Sequence, residues 1–406
     1  MEKIIERTEY LSRLIAFKDK HIIKIITGVR RCGKSTLMEI FLAHLLSSGV
    51  SAEQIIAVNF EDLANEHLLE PKALHDYILN KSGENKKTYV FLDEIQNVKD
   101  FQKAVDSLFL RKNIDIYLTG SNAFMLSGEL ATLLSGRYVK IEMLPLSFKE
   151  YVLSTGDFGG LNKKYIDYLE NSSFPYTIQL GGNKKQIYDY LSGIYSTVIL
   201  KDVIGRVRIS DTMILESIVR FVFDNIGNQL STKAISDYMT SGGRKIDVKS
   251  VEKYIRAMMD SYIIYQAKRY NVKGKQYLKT LEKYYVVDIG MRYMILGNRG
   301  ADLGHILENV VYLELLRRGY QVYIGKIDEQ EVDFVAMNKD GITYFQVALT
   351  VRDENTFARE ISPLRKISDH YPKYILTLDD DPDGDYDGIR RINALSWLLD
   401  GERGMG

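Results

Sequence analysis

The stretch "KIITGVRRCGKSTLMEI", residues 24–40, constrains this chain more than any other. The apolar run "HIIKIIT" reads as a short buried strand. Gly28-Val29-Arg30-Arg31-Cys32-Gly33-Lys34-Ser35 then fits G-x-x-x-x-G-K-[ST] without a gap. In "STLMEIFLAHLLSS" apolar residues follow at helical spacing. Glycines in such a loop let backbone N–H groups wrap a phosphate, and the helix N-terminus adds attraction for anions. Lys34 is expected to reach the β- and γ-phosphates of ATP, and the Ser35 hydroxyl to ligate Mg²⁺. The expected nucleotide contacts are therefore Gly28, Arg31, Cys32, Gly33, Lys34, Ser35 and Thr36.

A phosphate loop alone does not separate a kinase from an ATPase. "TYVFLDEIQNV" does, because this apolar strand ends in two carboxylates. Asp93 is expected to hold Mg²⁺ through water, and Glu94 to orient and polarise the attacking water. "IDIYLTGSNAFM" reads as a further strand ending in polar groups. Its Thr119, Ser121 and Asn122 are expected between two carboxylate-bearing strands, where they would sense the γ-phosphate. Cys32 has grounds for a lowered pKa beside Lys34 and a helix N-terminus. The plainer reading of Cys32 is a small, tolerated residue.

"ELATLLSGRYVKIEMLPLSFKEY" gives a helix, Gly136-Arg137, a strand and a turn. The order of phosphate loop, "DE" strand, polar sensor strand and Arg before a last strand resembles the AAA+ ATPases over most of residues 1–150. That resemblance implies ATP and Mg²⁺ as cofactors and a homo-oligomer. It also implies that Arg137 is an arginine finger reaching a neighbouring subunit's nucleotide. Residues 151–211 are expected to form a helical lid or linker, with Arg206 and Arg208 as candidates for a second sensor arginine.

Residues 212–298 pattern as three short helices and a hairpin, a winged helix. Arg244 to Lys283 contains eleven Lys or Arg against four Asp or Glu. Lys249, Lys253 and Arg256 share one helix face, and Lys268, Arg269, Lys273 and Lys275 lie on the hairpin. A helix for the groove and a basic wing for phosphates make DNA the expected partner. A surface for a protein partner is the alternative.

From residue 299 the character changes again. A helix, "HILENVVYLELLRRG", precedes three strands, with Glu308, Asp333 and Gln346 at their inner ends. This resembles the restriction-endonuclease-like, PD-(D/E)xK fold. The resemblance implies two carboxylates and a Glu-x-Lys that hold Mg²⁺ and activate water. Here that tripeptide is Gln346-Val347-Ala348, so the domain is expected to be degenerate and to bind rather than cut. Arg359 in "TFAREI", on the next helix, is the candidate to substitute for the lysine. "DPDGDYDG" starts like a calcium loop, but its twelfth position is Ala394 where a bidentate Glu is required, so an acidic hairpin is expected.

The expected class is α/β. A P-loop AAA+ core (1–150) is followed by the lid (151–211), a winged helix (212–298) and an endonuclease-like domain (299–406). The whole resembles a group of bacterial and archaeal AAA+ ATPases in which the last domain has no assigned role. Lys plus Arg equals Asp plus Glu, so net charge selects no partner. A single cysteine fits a reducing compartment. No signal-peptide pattern and no run approaching ~18 apolar residues is present, so a cytoplasmic protein is expected. The expected function is ATP hydrolysis coupled to DNA binding. The alternatives are a nucleotide-controlled protein-interaction switch and an ATP-gated, metal-dependent nuclease.

Overall fold

The computed structural model describes residues 4–83, 86–123, 134, 136–156, 160–204, 212–298 and 302–400. The chain divides into two compact units. One is residues 1–145 with 260–262, and the other is residues 146–259 with 263–406.

The first unit alternates strand and helix: α1 (Thr8–Ala16), β1 (Ile23–Thr27), α2 (Lys34–Ser47), β2 (Ile55–Asn59), α3 (Pro71–Lys81), β3 (Thr88–Asp93), α4 (Phe101–Phe109), β4 (Ile114–Gly120) and β5 (Tyr138–Glu142). The sheet order is β2-β3-β4-β1-β5, and every pair is parallel. Such a sheet is covered on both faces, which is why β1, β3 and β4 are buried at every position. Ile25, Val90, Leu92, Ile116 and Leu118 join Leu74, Ile78, Val105 and Leu108 in one core. The charged residue on β1 is Lys24. Its buried ammonium pairs with Asp115 and donates to the Lys20 carbonyl at 2.9 Å. Burial lowers the Lys24 pKa, and Asp115 opposes that shift.

The second unit begins with α5 (Phe148–Thr155), α6 (Leu161–Asn171) and α7 (Lys184–Thr197). Then come α8 (Thr212–Asp224), β6 (Gln229–Leu230), α9 (Thr232–Ser241), α10 (Val248–Asp260), β7 (Ile264–Asn271), β8 (Gln276–Val286) and α11 (Ile289–Leu296). It ends with α12 (Leu303–Arg317), β9 (Gln321–Ile327), β10 (Gln330–Asn338), β11 (Gly341–Val347), α13 (Glu354–Arg365), β12 (Lys373–Thr377), β13 (Gly384–Tyr386), β14 (Ile389–Asn393) and α14 (Ala394–Asp400). Buried Asp288 ties the early helices to this unit. It accepts from the Ser173 N–H (2.7 Å) and hydroxyl (2.6 Å) while capping α11 through the Met291 N–H (2.6 Å).

One sheet runs through the unit in the order β13-β14-β12-β11-β10-β9-β7-β8-β6. The β7–β8 hairpin therefore does not stand alone, because β7 also pairs in parallel with β9. Ile361 and Leu364 of α13 pack with Val332 and Val335, whereas Tyr312 of α12 packs against Phe334. The two helices thus cover opposite faces of β10. The acidic stretch forms the expected hairpin of β13 and β14, turning at Asp387 (φ +58°) and Gly388 (φ +82°).

Candidate functional site

β1 delivers the glycine loop. A Cβ on Gly28 would stand 2.1 Å from the Met143 carbonyl oxygen, so only glycine fits this close approach. The N-cap of α2 is Gly33, which makes no side-chain capping bond, so N–H groups of the first turn remain for an anion. Lys34 opens α2 and is 4% exposed. Its ammonium folds back on the loop, donating to the carbonyls of Gly28 (3.1 Å) and Val29 (3.2 Å), and lies 3.8 Å from Glu94 Oε1. Ser35 is half-buried and Thr36 exposed in the first turn, and Arg31 is an exposed loop residue at φ +66°.

Asp93 ends β3, and Glu94 follows in the left-handed region at φ +52°. Thr119 ties the two together. Its hydroxyl accepts from the Glu94 N–H at 2.9 Å and donates to Asp93 Oδ1. Asn59 on β2 donates to Asp93 Oδ2 at 3.1 Å. Burial raises the Asp93 pKa, while hydrogen bonds from Thr119 and Ser35 pull it down. The hydroxyl and carboxylate expected to hold Mg²⁺ are thus neighbours, and a hard oxygen pair suits that ion.

For Glu94 burial alone would raise the pKa. The charge of Lys34, the Gln96 amide, Arg30 and Ser121 outweigh it and hold the carboxyl below its ordinary value. Gln96 Nε2 donates to Glu94 Oε2, and so does the Ser121 hydroxyl at 3.1 Å. Asn122 lies buried just beyond β4. One expectation needs correcting here. Both carboxylates come from the C-terminal end of β3, Asp93 as its last residue and Glu94 just after it, so β4 and its polar end lie between the loop strand β1 and that single strand.

Arg137 is not brought to this loop. The register Ile23↔Tyr138 to Thr27↔Glu142 puts it at the other end of β1. That separation is about 13 Å of strand at roughly 3.3 Å per residue. Arg137 pairs with Asp106 and lies 5.7 Å over the Phe109 ring. Arg206 and Arg208 fall outside the described residues. Cys32 is fully buried, and burial raises its thiol pKa against the pull of Lys34 and Arg7. The lowered pKa is thereby corrected: desolvation exceeds the attraction of nearby cations.

Sequence reasoning missed Gln96 and Arg7. The buried Arg7 guanidinium donates to the carbonyls of Cys32 (2.9 Å), Leu144 (2.7 Å) and Pro145 (3.2 Å). It braces the loop from behind. Nothing in "IIERTEY" signals this, since the partners are distant in sequence.

The second unit contains a cavity of about 550 Å³. Glu308 on α12, Asp333 on β10 and Gln346 on β11 do meet there. The Asp333 N–H donates to Gln346 Oε1 at 3.4 Å, and the Val347 N–H to Asp333 Oδ2 at 2.8 Å. A bulge between Val332 and Val335 re-aims Asp333. Burial and the neighbouring Glu308 push its pKa well above the usual carboxylate range.

Lys283 also lines this cavity. It counted among the basic residues of the hairpin segment, yet it is 5% exposed. Its ammonium lies 3.0 Å from Glu308 Oε1 and 2.6 Å from Glu331 Oε1. Burial works against that charge, but Glu308, Asp333 and Glu331 hold its pKa above the ordinary lysine value. Ala348 leaves the third strand without the lysine of Glu-x-Lys, yet the cavity does hold a lysine. The lysine comes from β8 instead of the third strand. Arg359 does not take that place, because its mostly exposed guanidinium pairs with Glu360 at 2.8 Å.

Of the basic residues, Lys249, Lys253 and Arg256 are exposed on α10, while Val251, Ile255 and Met258 are buried. Lys268 and Lys275 are exposed, and Arg269 is half-buried on β7. Lys273 is committed to Asp328, at 2.6 and 2.8 Å. The hairpin thus offers less free charge than its sequence suggests, because β9 and the turn after it occupy its other side.

Comparison with known proteins gives two family matches. A model described as an AAA domain matches residues 20–152, and one described as a domain of unknown function (DUF8612) matches residues 162–302. An uncharacterized protein of Haemophilus influenzae is 40% identical over 400 residues, covering 98% of this chain and 99% of that protein. Uncharacterized protein MJ1544 of Methanocaldococcus jannaschii is 31% identical over 386 residues, covering 90% of this chain and 83% of that protein. Among solved structures, the Walker-type ATPase PABY2304 of Pyrococcus abyssi is similar at a TM-score of 0.49 and 13% identity. The match covers 72% of this chain and 96% of that one. That likeness is too distant to carry an argument.

Proposed function

The chain belongs to one family with these Haemophilus influenzae and Methanocaldococcus jannaschii proteins and has a P-loop AAA domain, and on that premise we propose that it hydrolyses ATP. The observation that carries the reading is the convergence of Lys34, Asp93 and an ionised, hydrogen-bonded Glu94 at the end of one parallel sheet. ATP would draw the Lys34 ammonium from the loop carbonyls onto its β- and γ-phosphates. Ser35 and Asp93 would hold Mg²⁺, which supplies charge neutralisation between the phosphates. Glu94 takes a proton from water as the oxygen adds to the γ-phosphorus. The bond to the β–γ bridging oxygen breaks, and ADP and phosphate leave.

The same reading extends to DNA. The order α8-β6-α9-α10-β7-β8, with β6 paired to β8, supports reading this segment as a winged helix, and α10 presents Lys249, Lys253 and Arg256 outward. We read this face as the DNA contact, coupled to nucleotide state. A protein-partner switch is the second reading, and the docked hairpin with its Lys273–Asp328 pair favours it. No helix among the described residues is long and apolar enough to cross a membrane.

The test separates binding from chemistry. Lys34→Ala should lose ATP binding. Glu94→Gln should keep it and slow turnover by about 10²–10⁴-fold, the usual contribution of a general base. ATP binding and phosphate release measured on both variants check this. Turnover by Glu94→Gln equal to that of the native chain would refute the assignment.

A further inference from the structure

An endonuclease-like reading of the second unit implies Mg²⁺ in the cavity beside α12, and the residues there do not fit that ion. Glu308 Oε1 already accepts from Lys283 (3.0 Å) and from the Tyr285 hydroxyl (2.6 Å). Asp333 Oδ2 accepts from the Val347 N–H. Gln346 brings a neutral amide whose nitrogen is fixed on Glu360 Oε2 at 2.8 Å. Among the described residues no three His, Cys, Asp or Glu side chains converge to hold a metal ion.

What does stand among the carboxylates is an ammonium. Lys283 and Tyr285 are two residues apart on β8, so they share a face and both reach Glu308. A five-residue step on β8, from Leu278 to Lys283, opposes the two-residue step from Ala267 to Arg269 on β7. The strand irregularity ends where Lys283 enters the cavity.

We propose that the Lys283 ammonium is the resident cation of this cavity, standing where a divalent metal would, so that the site is metal-independent and does not cleave phosphodiesters. The charges balance on this account. Gln346 in place of a carboxylate removes one negative charge, and a monovalent ammonium in place of a divalent ion removes one positive charge. Lys283 also keeps Glu308 and Glu331 from facing each other without a counter-charge. Neither carboxylate can turn to an incoming metal without abandoning a buried lysine, and a buried charge left without its partner is costly. The proposal stands apart from ATP hydrolysis, and its failure would leave that reading intact.

The experiment uses the full chain without nucleotide. Mn²⁺ binding is followed by the loss of the free-ion EPR signal and by the shift in unfolding temperature. Lys283→Met, Asp333→Ala and the double variant are compared with the native protein, and supercoiled DNA is incubated with each. The native protein is expected to bind no Mn²⁺ that depends on Asp333 and to leave the DNA intact. Lys283→Met is expected to gain a Mn²⁺ site, seen as a rise in unfolding temperature with Mn²⁺, and to lose it when Asp333→Ala is added. Lys283→Met that folds but gains no Mn²⁺ overturns the proposal. Should Lys283→Met not fold, the native protein and Asp333→Ala still decide. Mn²⁺ binding or DNA nicking by the native chain that vanishes in Asp333→Ala overturns the proposal, and identical behaviour of the two supports it.

Discussion

If Glu94 is the base of the proposed ATPase, Gln96 decides which of its oxygens is left for water. Its amide and the Ser121 hydroxyl both hold Oε2, while Oε1 faces Lys34 at 3.8 Å. Once phosphates draw Lys34 away, Oε1 becomes the free acceptor. Burial raises the Glu94 pKa, and Gln96, behind the charge of Lys34, helps hold it below its ordinary value all the same. Removing the amide raises that pKa, so less of the base is ionised at a given acidic pH. Gln96→Ala should therefore move the acid limb of the kcat/KM profile to higher pH and lower kcat, with ATP affinity unchanged. A pH profile of the variant beside the native enzyme checks this, and coincident acid limbs would remove Gln96 from the mechanism. The motif spacing made Lys34, Asp93 and Glu94 legible, because local backbone geometry alone places them. Arg7 and Lys283 were not legible, because their partners lie on elements far away in sequence. Only tertiary pairing brings Cys32 to one and Glu308 to the other.

At the scale of elements, hydrophobic pattern identified strands and helices, but not who sits beside whom. The run "IIYQAKRY" reads as a hairpin strand and pairs with β8 as one, yet nothing in its alternation says that β9 will pair along its other edge. That pairing changes which cations can meet a nucleic acid. Lys273 is spent on Asp328, whereas Lys249 and Lys253 on α10 have no ion-pair partner among the described residues. If α10 is the DNA contact, Lys249→Ala with Lys253→Ala should flatten the dependence of log affinity on log salt by roughly 0.9 for each phosphate no longer neutralised. Lys273→Ala should leave the slope as it was. Fluorescence anisotropy with labelled duplex across a salt series distinguishes the two. A slope altered by Lys273→Ala but not by the α10 pair would transfer the DNA-binding face to the hairpin.

For the whole molecule, if Arg137 is the arginine finger that the proposed ATPase reading implies, one chain is not the complete catalyst. An arginine just before β5 cannot reach a phosphate loop at the far end of the neighbouring β1, since the length of the strand separates them. In the single chain Arg137 is paired with Asp106, and its side chain is still 41% exposed, so it can be taken over by an anion presented from outside. The γ-phosphate on a second copy is such an anion, and its greater charge would displace Asp106. An arginine supplied in trans can be worth about 10³–10⁵ in rate. Specific ATPase activity should therefore rise with protein concentration. Arg137→Ala keeps an intact loop but lacks the finger, whereas Lys34→Ala keeps the finger but cannot hold ATP. Each alone should be nearly inactive, and mixing them should restore turnover at interfaces where an intact loop faces an intact Arg137. Steady-state phosphate release from the separate and mixed variants is the measurement. Full activity of Arg137→Ala alone, at every concentration, would mean that each chain completes its own site.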